Sequence, residues 1–408
     1  MSTYVKLAWR NLFRNKRRTL IAGTAIGLGL AALIFSDALI IGMEKNMIYT
    51  ATSSFLGEGQ IHHEKYRERA EVELTVNDLE SVLSRLDNEP IVSHYTLRAM
   101  SFGMITSPAN VSSVNIVGIH PPTETYLSQI DEALIEGEYF SGDNPRDILI
   151  GSKLAEIMEV GIGDRVVMTV AQAHSGDLSQ EMFRISGIYY FNVDEMDRQV
   201  AVIRLGKLQE MLGMDDQVHE IAITFTDDTI GRDENHPFWA SYSKDGNEAV
   251  NWTILLPQLD AALAFSQFQT VIIGAILFAI VTLGIINTLF MSLHERMFEF
   301  GVLRAVGTRP SAMASLILFE AGALAIISII LGCILGAAVT SIFSHVGIDY
   351  TGIEFVGVTF RELLYPVLQL KQFVEYPIWV FIFTVVVGLY PALYAARMKP
   401  AEAMRKSL

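Results

Sequence analysis

Cysteine is almost absent from this 408-residue chain: its one thiol, Cys333, sits inside a long apolar run. Residues 42–270, which read as ordinary globular sequence, contain no cysteine, so no disulfide holds them even in an oxidising compartment. Their stability must come from a packed core, which a segment of that length can supply. The phosphate loop G-x-x-x-x-G-K-[ST] is also missing; Gly23–Gly29 is rich in glycine but lacks the lysine, so the chain does not hydrolyse ATP by itself. His294-Glu295 opens like H-E-x-x-H, but position 298 is Phe, which excludes that zinc-protease pattern. His62-His63-Glu64 fails as a metal site because neighbours on a strand point to opposite faces, and no metal is expected. No Ser/His/Asp or Cys/His set, internal repeat or low-complexity tract stands out, and no catalytic residues are expected. No basic patch lies on a soluble face, so nucleic acid is not expected as a partner.

What the chain does have is four long apolar runs, at 19–41, 271–293, 316–342 and 378–396. Each is long enough to cross a hydrocarbon layer of about 30 Å as a helix. Thirteen of the 30 basic residues fall in three short segments: Lys6 to Arg18; Arg296, Arg304 and Arg309; and Arg397 to Lys406. The positive-inside rule then places both termini (1–18 and 397–408) and the 294–310 loop in the cytoplasm, with 42–270 and the 343–377 loop outside. The first run is too long for a cleaved signal peptide, and no small-x-small site follows it. Residues 42–270 carry 15 basic and 36 acidic side chains against a whole-chain charge of −15, so the outer segment is acidic and the remainder basic. The expected fold is an α-helical membrane protein: four transmembrane helices, with a large mixed α/β extracytoplasmic domain between helices 1 and 2.

Within the outer segment, alternation predicts strands at 59–63, 99–106, 112–118, 165–170, 181–187, 199–205 and 220–226. Helices are expected near 75–87, 154–159 and 206–212, and His174-Ser175-Gly176-Asp177 closes a hairpin. Residues 231–251 read as a long polar loop with exposed aromatics, and Phe238, Trp239 and Tyr242 are its candidate partner-binding residues. Residues 42–54 and 257–270 continue the first two spans at helical spacing and read as stalks; plain interface linkers are the alternative. Asp37 and Glu320 are carboxylates within spans, costly there and as readily functional as interfacial. Gly23-x-x-x-Gly27 and Gly332-x-x-x-Gly336 are spaced for close helix packing.

The 294–310 loop is the most specific local signal. Met297, Phe300, Leu303 and Arg304 fall on one side of a short amphipathic helix ending near Gly307. Such a helix can anchor at the membrane surface or seat in a groove of a cytoplasmic motor. Its run from Glu295-Arg296 through Glu299-Phe300-Gly301 and Leu303-Arg304-Ala305 to Gly307 resembles the coupling segment of the permeases related to MacB, FtsX and LolE. Leu7-Ala8-Trp9-Arg10-Asn11-Leu12 is similar to that family's N-terminal elbow. Gly388-Leu389-Tyr390-Pro391-Ala392 and Pro400-Ala401-Glu402-Ala403 resemble its C-terminus. Gly59-Gln60-Ile61-His62, Gly118-Ile119-His120-Pro121 and Gly151-Ser152-Lys153-Leu154-Ala155 look like the lipoprotein-release branch.

The resemblance implies the membrane subunit of an ABC transporter of the mechanotransmission type in a bacterial inner membrane. It implies two copies of a separate cytoplasmic ATPase that binds ATP and Mg, a second permease subunit (the same or different), membrane lipids and a periplasmic carrier. Glu295, Arg296, Glu299, Phe300, Gly301, Leu303, Arg304 and Gly307 become the candidate ATPase-coupling residues, with Gly301 allowing close backbone approach. Phe35, Leu39, Met43, Phe268, Ile272 and Ile276, large and uncharged in the outer halves of spans one and two, become candidate cargo-facing residues. Unlike the MacB branch, this chain carries no fused ATPase, and its outer segment is larger than that of the FtsX branch. Lipid-anchored cargo is the first reading. Export of a small hydrophobic compound or peptide, and signalling to a periplasmic enzyme, are the alternatives.

Overall fold

The structure, a computed structural model, describes residues 10, 16–140, 142, 144–355, 358–359 and 363–397; the expected elbow and C-terminal tail lie almost wholly outside the described residues. In chain order the main elements are α1 (Lys16–Ala51), a π-helical turn (Thr52–Leu56), β1 (Gly59–His63), α2 (Leu79–Leu86), β2 (Val92–Thr106), β3 (Val111–Ile119), β4 (Leu134–Gly137), β5 (Asp147–Gly151) and α3 (Ser152–Met158). There follow β6 (Arg165–Ala171), β7 (Leu178–Tyr189), β8 (Val200–Arg204), α4 (Leu205–Leu212), β9 (Glu220–Phe225), α5 (Pro237–Tyr242), β10 (Asn247–Asn251), α6 (Pro257–Glu295), α7 (Met297–Ala305), α8 (Pro310–Val346) and α9 (Gln372–Arg397). The chain divides into two compact units, one of Met1–Lys45, Leu263–Asp349 and Leu363–Leu408, the other of Asn46–Ala262 and Tyr350–Glu362.

The first unit is helical. Among the described residues, four helices (α1, α6, α8 and α9) are long and apolar enough to cross a membrane. Their buried seam is built from Ile26, Leu30 and Ile34 of α1, Val281 and Ile285 of α6, Leu324 of α8 and Val380 of α9. Small residues set the α1–α8 approach: a Cβ on Gly332 would lie 2.8 Å from the Gly27 carbonyl oxygen, so no larger residue fits that crossing. Asp37 is not left bare in this unit, because the Gln372 amide donates to its Oδ2 at 2.8 Å and the Val367 N–H caps the neighbouring Ala38 carbonyl at 2.9 Å.

The second unit is a ten-stranded sheet in the order β10-β1-β9-β2-β3-β8-β5-β7-β4, with β6 pairing both β2 and β7. That second pairing closes β2-β3-β8-β5-β7-β6 into a six-stranded ring. Its inward side chains, among them Ile105, Val114, Ile150, Met168, Phe183 and Ile203, form one core with α3 and α4. On β2 the alternation is plain: Ala99 and Ile105 are buried, whereas Phe102 and Met104 are exposed. The N-terminal half of β2 leaves the ring to pair with β9 and carries the wing β9-β1-β10. A second core under α2 and α5 covers that wing.

Most expected strands are present with longer ends, since β2 begins at Val92 and β7 runs from Leu178 to Tyr189. The helix expected near 75–87 is confined to Leu79–Leu86. The long loop at 231–251 is not there: that segment holds a 3-10 turn (Ile230–Arg232), α5 and the edge strand β10. Pro237 supplies the first-turn φ, and the His236 ring accepts the Phe238 N–H as a cap, so a polar-looking stretch starts a helix.

Candidate functional site

The candidate coupling segment is built by a break and a clamp. α6 ends at Glu295, Arg296 turns the chain, and α7 begins at Met297. Arg296 is buried, and its guanidinium bonds Glu320 of α8 at 2.9 Å and Glu299 at 3.1 Å while lying over the Phe300 ring at 4.9 Å. Ser292 donates to the other Glu320 oxygen at 3.3 Å. Phe300 is buried among Leu293, Met313, Leu316 and Ile317. Gly301 is buried as well, so it offers no open backbone for a partner to approach, contrary to the role expected for it. Gly307 ends the segment with φ of 100°, a conformation that favours glycine.

The other edge of α7 faces outward. Phe298, Val302, Leu303 and Val306 recur at helical spacing and are exposed, Val306 at 82%. The eight candidate coupling residues therefore divide. Arg296, Phe300 and Gly301 fix the helix to its own unit, and Glu299 holds Arg296. Glu295, Leu303 and Gly307 are exposed, and Arg304 is half-buried, turning back to donate to the Thr308 carbonyl at 3.2 Å. Sequence reasoning put Leu303 on the same side of the helix as Phe300, which the structure separates into exposed and buried, and missed Phe298, Val302 and Val306 as outward apolar side chains. It also treated Glu320 and Arg296 separately, although one buried carboxylate and one buried cation near a helix junction were the available signal.

Of the cargo-facing candidates, Phe35, Leu39 and Met43 are half-buried on α1, and the Phe35 ring lies 5.5 Å from that of Phe343. Phe268, Ile272 and Ile276 are exposed on α6.

The aromatic docking surface expected at 231–251 does not exist as such. Phe238, Trp239 and Tyr242 are 3%, 6% and 3% exposed. Phe225 stacks edge-on against both Phe238 and Trp239, and the Trp239 indole N–H donates to the Asp233 carbonyl at 2.8 Å. The reason is pairing: β10 adds to the edge of β1, and α5 must then lay its apolar face on the wing so formed.

Comparison with known proteins agrees with this architecture. Residues 19–230 match the family model described as the MacB-like periplasmic core domain, and residues 271–400 match the FtsX-like permease C-terminal model. A lipoprotein-releasing system transmembrane protein LolC from Xylella fastidiosa is 24% identical over 315 residues, covering 71% of this chain and 72% of that protein. A LolE from Haemophilus influenzae is 19% identical and covers 99% of both chains. An uncharacterised ABC transporter permease from Methanocaldococcus jannaschii is 20% identical, covering 66% of this chain and 65% of that one.

Proposed function

Because this chain belongs to the family of permeases that join a MacB-like periplasmic core domain to an FtsX-like C-terminal part, we propose that it couples ATP hydrolysis by a separate cytoplasmic ATPase to movement of its outer domain. Two ATPase copies, which bind ATP and Mg, and a second permease subunit complete the transporter. α1, α6, α8 and α9 cross a bacterial inner membrane with both termini and α7 in the cytoplasm, and the strand-rich unit stands outside between the first two spans. The cargo is a lipoprotein or another lipid-anchored molecule taken from the outer leaflet past Phe35, Leu39, Met43, Phe268, Ile272 and Ile276. The names of the relatives support lipoprotein. A carrier outside the membrane receives it at a surface other than Phe238, Trp239 and Tyr242.

One observation carries the coupling. α7 is locked on one side by Arg296 and Glu320 and leaves an apolar edge bare on the other. A helix anchored in this way cannot swing freely, so a push on its exposed edge reaches α6 and α8 directly. The charged side chains beside that edge, exposed Glu295 and half-buried Arg304, provide orientation more than affinity.

Co-expression with a partner ABC ATPase subunit tests the proposal. Leu303→Glu and Arg304→Glu should each leave the permease folded and membrane-inserted while ATP turnover in the reconstituted complex loses its stimulation. Full stimulation in Leu303→Glu would overturn the assignment of α7.

A further inference from the structure

The last residues of α1, Asn46–Ala51, belong to the strand-rich unit. Beyond them the helix widens into the π-helical turn Thr52–Leu56, closed by the Gly57 N–H on the Thr52 carbonyl at 2.8 Å. Three hydroxyls in a row accompany the widening: Thr52, Ser53 and Ser54 each donate back to a carbonyl four residues earlier, those of Ile48, Tyr49 and Thr50. Back-bonding of this kind weakens and bends a helix, and π-helical turns recur at functional sites.

This soft turn is tied to the unit around it at three points. The Ser53 carbonyl accepts the Gln129 N–H at 2.9 Å, and the Leu56 carbonyl accepts the Gln60 amide at 3.0 Å. The Phe55 ring centre lies 3.9 Å from the Arg98 guanidinium.

Arg98 is a fixed point. It is fully buried and donates to Glu124 through Nε, at 3.2 Å, and Nη2, and to Glu220 through Nη1 at 2.8 Å. Glu124 lies on the short helix Pro121–Glu124 that follows β3, and Glu220 opens β9. Arg98 is also the one residue of β2 in register with both β3 and β9, opposite Ile119 on the ring side and Glu220 on the wing side. With three N–H groups given to carboxylates in the guanidinium plane, its flat face is left for Phe55, the way an arginine stacks on an aromatic ring. Packing alone does not set that ring: Phe55 is half-buried and lines two cavities, of about 560 and 390 Å³.

We propose that Phe55 is a positioning residue, and that its seat on Arg98 is the joint through which a shift of α1 carries the strand-rich unit as one piece. The proposal rests on the reading that ATP hydrolysis moves this unit. Because Arg98 belongs to ring and wing at once, force entering at the π-helical turn reaches both. An aliphatic side chain at position 55 has no ring face to hold against the guanidinium, and the adjoining cavities give it room to slide. The turn then yields when α1 moves, while α7 is untouched.

The test uses the full chain with a partner ABC ATPase subunit in nanodiscs. Replacing Cys333, the chain's one cysteine, by serine lets spin labels be placed through Lys45→Cys on α1 and Ser113→Cys on β3, both exposed. Labelled chains are diluted with unlabelled ones so that a single pair is read per complex. With Phe55 in place, one narrow distance should hold both without nucleotide and with ATP plus vanadate. Phe55→Leu should fold and keep its stimulated ATP turnover, yet at least double the width of the distance distribution and make its mean shift with nucleotide. Phe55→Tyr, which keeps the ring face, should restore the narrow distance. A Phe55→Leu chain whose distances match the native ones overturns the proposal, as does a Phe55→Tyr chain as loose as Phe55→Leu. Missing stimulation of ATP turnover by the native chain contradicts the coupling reading instead, since the width measured without nucleotide judges the joint alone.

Discussion

Arg296, at the junction of α6 and α7, and Glu320, one-third of the way along α8, are joined by a buried 2.9 Å ion pair. With the Ser292 hydroxyl, which donates to the other Glu320 oxygen, the pair holds α6 and α8 in one register. Both partners are largely withdrawn from water, so removing one takes from the other a buried counter-charge. Arg296→Met or Glu320→Gln should each destabilise the membrane unit by about 3–5 kcal/mol. The double variant Arg296→Met/Glu320→Met should recover much of that loss. Thermal unfolding in detergent read against this cycle checks the pairing; additive losses would mean that the two side chains do not act together.

The bare edge of α7 makes a separate prediction. Val302→Asp should behave as Leu303→Glu does, since both place charge where apolar contact is expected, whereas Phe300→Asp should prevent folding. The readouts are melting temperature for the permease alone and ATPase co-purification for the complex. A Val302→Asp chain that still retains its ATPase would place the contact elsewhere.

His62 should make the strand-rich unit acid-sensitive. Its folded pKa is pushed down to about 4 by burial, against about 6.5 when exposed. The folded domain therefore holds it neutral, and the unfolded chain binds the extra proton first. Stability is full above pH 6.5 and falls as pH drops towards 4, by about 3 kcal/mol at most from this group. Urea unfolding across that window, compared with His62→Asn, measures it. A variant as acid-sensitive as the native chain would assign the effect to other groups.

Phe238, Trp239 and Tyr242 now predict a folding defect, not a docking defect. Trp239→Ala should cost about 3–5 kcal/mol, because it opens a cavity beneath the wing. Deleting residues 232–246 should unfold β10 from β1, visible as lost amide protection on β1. Retained protection would return the segment to the surface role first expected for it.

Much of the architecture could be read from the sequence because its signals are local. The four apolar runs are continuous, and the hairpin at His174–Asp177 has its turn residues between two alternating stretches. The closing of the ring could not be read, because β6 pairs with β2 some sixty residues away and nothing in either strand names its partner. The edge strand β10 was hidden for a related reason: Asn247-Glu248-Ala249-Val250-Asn251 looks like loop until β1 is placed beside it. At the candidate site, the motif gave the position of α7 but not its rotation. Which edge is buried depends on Glu320, and a carboxylate on a distant helix leaves no periodic trace around Arg296.

Cargo contact is open to direct capture. Photo-crosslinkers at Phe268, Ile272 and Ile276, which are exposed on α6, should trap a lipid-anchored protein in native membranes. Crosslinkers at Ile330 and Ile334, exposed on α8, serve as the comparison and should trap only bulk lipid. Equal capture by the two helices would remove α6 from the cargo path.

Release of cargo tests the whole account most directly. The permease, its ATPase and an acylated lipoprotein are placed together in proteoliposomes with a soluble acceptor outside, and the lipoprotein leaving the bilayer is measured with and without ATP. The account predicts ATP-dependent release that disappears in Leu303→Glu while the protein stays in the membrane. Brisk, permease-stimulated ATP turnover with no lipoprotein leaving the bilayer would contradict it.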